Sequence, residues 1–524
     1  MKKSLLLLGI VFAGIYFILA LKNPYSSRSL VPNLEPYPDT LFYSTPAWNF
    51  AHGKGFVMQA FDYQSRIITP PIYSLYLIPF FAAFNDVRSF YFANIALGFG
   101  SLLLFLLCAY RLLYRKISDL LIIAVIAVFF VTNFYIYTLP TLLMAENITL
   151  FISLCGLYLL ITPLTKRGAL LAGLLGVSMS LIKFSNAPLT ITFYCLYGYR
   201  VFKSKSKKKV ISSFLLSTGF AILVLALYLS MTKILVGHKN LSAGISFSPE
   251  HFTLNFMPYL KILVGQPERF LWFQNNLISP VVALVSLIGM GIGLWTTTLR
   301  KNSLYLLIYG LGTLVFMSFF YLRDIRYILT IYPLMLIFAG VTFIFVKNRF
   351  GTAATIVLMI LVTGAYLLVP GFGYIPGERA IITFKKQVGL NLRHAETPWN
   401  YNATQEFNAY FAKNPSKKEK PYLATFLPPY YVNYYSQGDY KYLPLSMGQE
   451  FFREKQNAPK VFLISLEEYY RNLLAEGHEI YISPYYKGNL RSWEKDYNDL
   501  TKKFHLELVR KGCFDTCNIY KLSL

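Results

Sequence analysis

Apolar runs of membrane-spanning length recur along the first two thirds of the chain, separated by short polar or basic segments. A helix needs about 20 mainly apolar residues to cross the hydrocarbon core. Windows at 4–22, 89–110, 118–139, 147–163, 168–182, 187–202, 210–231, 277–298, 303–320, 327–346 and 352–370 meet or approach that length. The pattern predicts an α-helical polytopic membrane protein of about eleven transmembrane helices. The apolar run after Met1-Lys2-Lys3 reads as an uncleaved first helix, because it is long for a secretory signal and no Ala-x-Ala-like site follows. From residue 371 the pattern changes. Strand-like runs at Tyr422–Leu427, Val461–Leu466, Glu479–Ser483, Leu506–Val509 and Asn518–Leu522 alternate with helix-like segments at Glu467–Glu476 and Ser492–Lys503. That alternation predicts a small α/β domain. The expected organisation is a transmembrane region over 1–370, with a long first loop at 23–88, followed by a soluble domain over 371–524.

Composition agrees. The 524 residues are 55% hydrophobic and 14% charged, against about 25% charged in soluble proteins. The net charge of +25 comes from 50 Lys+Arg and 25 Asp+Glu. The basic residues sit between apolar windows, which reads as membrane topology and argues against nucleic acid as a partner. Arg111, Arg115 and Lys116, then Lys166 and Arg167, then Arg200 to Lys209, then Arg300 and Lys301, then Lys347 and Arg349 all fall on Lys2's side of the membrane. The N-terminus is therefore expected in the cytoplasm. An odd span count puts the C-terminal domain outside, in a multi-pass protein of the plasma or inner membrane.

Cys108, Cys155 and Cys195 lie in apolar windows as small core residues. Cys513 and Cys517 lie in the tail, where they either form a disulfide or stay free thiols. No Cys/His group has zinc spacing.

The informative residues fall on the outer face. Asp39 begins a segment with helical apolar spacing, which suggests an amphipathic helix along the membrane surface. Asp39 is either a helix cap or a functional acid. Arg66 precedes Pro70-Pro71-Ile72-Tyr73 and either holds a lipid phosphate or anchors to headgroups. Glu146 sits at the mouth of a span, where a carboxylate is either at the water boundary or functional. Lys183 ends another span and either snorkels or binds. In Arg323-Asp324-Ile325-Arg326-Tyr327, the first two residues are expected to pair, leaving Arg326 for a ligand.

Taken in order, these residues resemble the GT-C superfamily of membrane glycosyltransferases, in its glycosyltransferase family 39-like branch. The likeness rests on Pro38-Asp39-x-x-x-Tyr43-x-x-x-Ala47-x-Asn49-x-x-x-Gly53-x-Gly55, on Pro70-Pro71-x-Tyr73 with Pro79, on Glu146-Asn147, on Lys183 after a Gly-rich span, and on Arg326-Tyr327 with Pro333. That branch includes protein O-mannosyltransferases and aminoarabinose transferases of lipid A. The resemblance implies a polyprenyl-phosphate-linked sugar donor and a hydroxyl acceptor on glycan, lipid or protein. It implies Asp39 as general base, and Glu146 is taken as a second catalytic residue. Tyr43, Arg66, Tyr73, Lys183, Arg326 and Tyr327 are its candidate substrate contacts. Many relatives have Asp-Glu where this chain has Asp39-Thr40, so the acceptor class is open. Arginine and lysine can neutralise a leaving phosphate, so no cofactor is required, although Asp39 and Glu146 could share a divalent metal. The rivals are a non-catalytic handler or flippase of lipid-linked sugars, and a scaffold whose tail binds a partner.

Overall fold

A computed structural model describes residues 2–21, 39–61, 63–65, 67, 69–203, 208–232, 248–266, 268, 277–320, 323–368, 399–416, 419–446, 465–485, 491–512 and 517–524. It divides into two compact units. The first comprises 1–22, 68–76 and 90–393, and the second 23–67, 77–89 and 394–524.

The first unit is helical. In chain order its helices are α1 (Lys2–Ala20), the first part of α3 (Pro71–Phe84; α2 belongs to the other unit), α4 (Phe90–Leu113), α5 (Asp119–Thr132), α6 (Phe134–Thr138), α7 (Glu146–Ile161), α8 (Lys166–Ile182), α9 (Ala187–Lys203) and α10 (Lys208–Thr232). They continue with α11 (Pro249–Leu263), α12 (Pro280–Trp295), α13 (Thr297–Ser318), α14 (Ile325–Ile328) and α15 (Tyr332–Leu368). Every expected window thus holds a helix, but not every helix is a span by itself. Among the described residues, four stretches are long and apolar enough to cross a membrane: Lys3–Ala20, Val87–Leu113, Lys208–Met231 and Ile325–Leu367. The pair Asp119–Thr132 and Phe134–Thr141, bent by 54°, makes a fifth if it counts as one span. The others fall short in length or apolarity, so the expected eleven exceeds what length and composition establish.

Helix α15 is two helices end to end. Its 37 residues would run about 55 Å at about 1.5 Å per residue, nearly twice a hydrocarbon core of about 30 Å. It breaks at Gly351, whose φ of 88° leaves the helical region. Elsewhere close approach is the rule. A Cβ on Gly289 of α12 would strike the Phe338 carbonyl of α15, so the small residue lets two backbones touch. Between α8 and α9, the Tyr194 hydroxyl donates to the Gly173 carbonyl at 2.5 Å and the Thr190 hydroxyl to that of Gly176 at 2.8 Å.

The second unit holds α2 (Asp39–Ala51), the hairpin β1 (Met58–Ala60) and β2 (Tyr63–Ser65), the end of α3, and the C-terminal elements. These are α16 (Trp399–Lys413), β3 (Tyr422–Thr425), α17 (Pro429–Tyr435), β4 (Lys441–Pro444), α18 (Leu466–Ala475), β5 (Ile480–Ser483), α19 (Arg491–Lys503), β6 (His505–Arg510) and β7 (Ile519–Ser523). The sheet order is β4-β3-β5-β7-β6. Strand β3 runs parallel to β4 and β5, and β7 runs antiparallel to β5 and β6.

Helix α2 differs from the expected surface helix. Leu41, Tyr43, Ser44, Thr45, Ala47 and Asn49 are all buried. The reason is polar: the Tyr434 hydroxyl of α17 shares hydrogen bonds with Ser44 at 2.7 Å and Thr45 at 2.5 Å. The Trp48 ring lies edge-on to Tyr434, with centroids 5.8 Å apart. Asn49 donates to the carbonyls of Val57 and Gln59 at 2.8 and 2.9 Å, fastening the hairpin to α2. Burial pushes the Tyr434 phenol pKa up, so it stays a donor. Tyr434→Phe would leave two buried hydroxyls short of a partner. It should lower stability by about 1–3 kcal/mol, read as a drop in Tm of the purified protein; an unchanged Tm refutes this tie.

Candidate functional site

The bend from Leu139 to Ala145, which leads into α7, is fastened from both ends. Asn94 of α4 is fully buried; it accepts from the Tyr73 hydroxyl at 3.0 Å and donates to the Leu142 carbonyl at 2.8 Å. Asn147 donates to the Leu139 carbonyl at 2.9 Å. The result places Glu146 as the first residue of α7. Lys183 ends α8 in an extended conformation. Asn186, just beyond, donates to Met179 O at 3.1 Å and Thr149 Oγ1 at 2.9 Å, tying that turn to α7. Arg326 sits on the single turn α14. Asp324 caps that turn by accepting from the Arg326 backbone N–H at 3.0 Å. Helix α11 braces the approach: Asn255 donates to Phe320 O at 2.6 Å, and the Tyr259 hydroxyl accepts from the Asp324 N–H at 3.2 Å.

These supports bring four charges together. Lys183 Nζ lies 2.7 Å and Arg326 Nη1 3.7 Å from Glu146 Oε1. Arg326 Nε lies 3.2 Å from Asp324 Oδ1. The Tyr327 ring covers both cations, with Nζ of Lys183 at 4.8 Å and Cζ of Arg326 at 5.7 Å from its centroid. The side chains of Glu146, Arg326 and Asp324 are at most 5% exposed, against 15% for Lys183. Charges so far from water persist only when paired. Pairing here is incomplete. An ammonium has three donors, and among the described residues the one hydrogen bond of Lys183 goes to Glu146. Glu146 Oε2 and Asp324 Oδ2 have no hydrogen-bond partner among the described residues. The Lys183 ammonium, the least buried of the four, can therefore donate to an anion without giving up Glu146.

The expected Arg323–Asp324 pair does not form. Asp324 turns forward to cap α14 and pair with Arg326, while exposed Arg323 donates to the Leu254 carbonyl at 3.2 Å. Of the other candidates, Tyr73 is fully buried with its hydroxyl on Asn94. Asp39 is the first residue of α2 and Tyr43 is buried there, both in the second unit; the Asp39 side chain is outside the described set. Arg66 and Cys513 lie outside the described residues. Cys517 is disulfide-bonded, and Cys108, Cys155 and Cys195 are free thiols. Asn94 and Tyr259 were not expected. An asparagine within an apolar helix was the available signal for the first. No group of three or more His, Cys, Asp or Glu able to hold a metal occurs among the described residues.

No family model and no curated protein matches the chain. Solved structures do. The structure of ArnT from Cupriavidus metallidurans bound to undecaprenyl phosphate matches over 100% of this chain and 98% of its own, with TM-score 0.61 and 13% identity. The chain has the GT-C fold. A mycobacterial arabinofuranosyltransferase, AftD, matches over 100% of this chain and 40% of its own (TM-score 0.53, 11% identity). The Archaeoglobus fulgidus oligosaccharyltransferase in complex with Zn and sulfate matches over 98% and 73% (TM-score 0.50, 11% identity). At such identities the GT-C backbone is shared, and the chemistry has to be argued from this chain's own side chains.

Removing one partner of a buried ion pair costs about 3–5 kcal/mol. Glu146→Gln and Lys183→Met should each destabilise the protein in detergent by that order. The double variant should lose less than the sum, with a coupling of about 0.5–3 kcal/mol. Additive losses in unfolding measurements would mean that the pair does not interact.

Proposed function

We propose that this protein transfers a single sugar, a hexosyl or pentosyl unit, from a polyprenyl-phosphate carrier to a hydroxyl on a glycan, lipid or protein. The reaction takes place at the extracytoplasmic face of the cell membrane. The observation that carries the proposal is Lys183, a nearly buried ammonium with donors to spare, grouped with Arg326 in a chain of the GT-C fold. The ArnT structure that shares this fold is bound to undecaprenyl phosphate, a ligand of the kind such cations would hold.

The chemistry follows. A sugar or Ser/Thr hydroxyl is a weak nucleophile, and a carboxylate within reach can take its proton as the new bond to the anomeric carbon forms. Asp39 is the base in this proposal. The acceptor oxygen bonds to C1, the C1–O bond to phosphate breaks, and polyprenyl phosphate leaves with the electron pair; one displacement inverts the anomeric centre. The leaving group is an anion and needs no proton, so fixed cations carry the stabilisation. Lys183 and Arg326 would hold the phosphate, with Arg66 as a third cation. Glu146 acts on them, keeping both cations charged and aimed. Tyr43, Tyr73 and Tyr327 would complete the donor's surroundings.

Asp39→Asn should lower the transfer rate by about 10²–10⁴ while donor binding stays intact. The assay is purified protein in nanodiscs, supplied with a panel of polyprenyl-phosphate sugars. Full activity in the variant would remove Asp39 from the mechanism, and donor binding with no transfer by the native protein would favour lipid-linked sugar handling. Activity should also survive a chelator; its loss, restored by a divalent ion, would assign Asp39 and Glu146 to a metal instead.

A further inference from the structure

The second unit contains a cavity of about 660 Å³ that neither the ion cluster nor the proposed transfer uses. It lies beside the β1–β2 hairpin, where Lys54 follows α2, and Lys420 and Lys441 flank the starts of β3 and β4. Three ammonium groups line it, and among the described residues no carboxylate does. Lys54 and Lys420 form no ion pair among the described residues. Among the described residues Lys441 has one carboxylate partner, Glu419, at 3.4 Å, and lies over the Tyr422 ring at 5.1 Å; Glu419 is itself 59% exposed, so that ion pair has little strength. Like charges gathered around one hollow repel each other unless an anion joins them.

The rest of the lining adds a different chemistry. Phe61 and the polar side chains Asn433 and Ser436 form part of the wall. Phe61 stacks one face on Tyr442, with centroids 5.8 Å apart and planes at 18°. It does so from a left-handed backbone position, φ 51°, at the turn of the hairpin, where glycine or asparagine is the usual residue. The hairpin thus carries a large ring at a position that local geometry disfavours. An aromatic surface with amide and hydroxyl groups beside it suits a sugar ring, while the lysines suit phosphate or carboxylate. The volume falls within the usual range for a small-molecule site, about 300–1,000 Å³.

We propose that this cavity binds an anionic carbohydrate, a sugar ring bearing phosphate or carboxylate, with Lys54, Lys420 and Lys441 on the anion and Phe61 on the ring. The site requires no lipid-linked donor, so its test stands apart from any transfer assay.

The full-length protein in nanodiscs would be titrated with glucose 6-phosphate, glucuronate, glucose and inorganic phosphate, following heat by calorimetry. Glucose 6-phosphate, glucuronate or both should bind saturably, and the comparison tells which anion is preferred. Glucose and inorganic phosphate should each bind at least about tenfold more weakly than the better of the two. Lys54→Ala with Lys420→Ala should abolish that binding, and Lys420→Gln alone should weaken it if the double variant fails to fold. Phe61→Asn, which tolerates the left-handed turn, should weaken sugar phosphate without changing inorganic phosphate. Lys413→Ala, away from the cavity, should change nothing. The proposal is overturned if neither anionic sugar binds saturably, if the lysine variants bind as the native protein does, or if inorganic phosphate binds as tightly as the sugar phosphate.

Discussion

A carboxylate buried at the end of an apolar helix cannot stay charged alone, and the arrangement of the first unit's helix ends answers that constraint. Glu146 needs a cation, and Lys183 and Arg326 arrive from α8 and α14. Arg326 in turn needs more than a shared oxygen, and Asp324 supplies it while capping the turn that carries Arg326. Each helix end must be held to within an ångström or so for these distances to hold. That explains a second set of residues that carry no charge. Asn94, Asn147, Asn186, Asn255 and Tyr259 spend their side chains on backbone groups at the approaches to the cluster. A buried amide that satisfies a carbonyl fixes a loop without adding a charge of its own.

The opposite end of α7 resolves the same problem differently. Arg200 donates to the carbonyls of Leu159 and Thr162 at 2.9 and 2.8 Å, where the helix dipole is negative. Nearby on α5, Asp119 accepts from the N–H groups of Arg115 and Lys116 at 2.7 and 2.6 Å and pairs with Lys347. At that end the bonds run to groups of the protein's own backbone and side chains. At the Glu146 end the one hydrogen bond of Lys183 among the described residues goes to a buried carboxylate. The two ends of α7 thus differ in what the cation faces: backbone carbonyls for Arg200, a buried carboxylate for Lys183.

The helices were readable because apolar windows report burial directly. Even the break in α15 was marked, since the gap between 346 and 352 contains Lys347, Arg349 and Gly351. Strands β3, β5 and β7 were marked by β-branched and aromatic residues and β6 by its apolar Leu506, Leu508 and Val509; of the expected strand Val461–Leu466, residues 461–464 lie outside the described residues and Leu466 begins α18. Strand β4 was not: Lys441-Tyr442-Leu443-Pro444 is short, begins with a charge and ends in proline, a composition tolerated because β4 lies at the sheet edge. Glu146, Lys183 and Arg326 were readable as charges stranded beside apolar runs. Their pairing was not, because sequence proximity suggests Arg323 for Asp324, whereas the capping of a short turn decides for Arg326. Helix α2 failed for a related reason. Its apolar spacing is real, but Ser44 and Thr45 on its other side meet a tyrosine 390 and 389 residues away, and no local pattern announces such a partner.

Lysine shows most clearly why composition alone could not assign function here. Read along the chain, lysines set topology or keep loops in water. In the folded chain the same side chain has three fates, set by what surrounds it. Lys347 is neutralised by Asp119. Lys183 is pulled out of water by Glu146 and covered by Tyr327, so its remaining donors have no solvent competitor as strong as an anion would be. Lys54 and Lys420 have no ion-pair partner among the described residues and line a hollow that includes an aromatic ring. Net charge treats all of these as equal. Burial and the inventory of unused donors distinguish them, and in a fold shared at 13% identity those two quantities carry the functional argument.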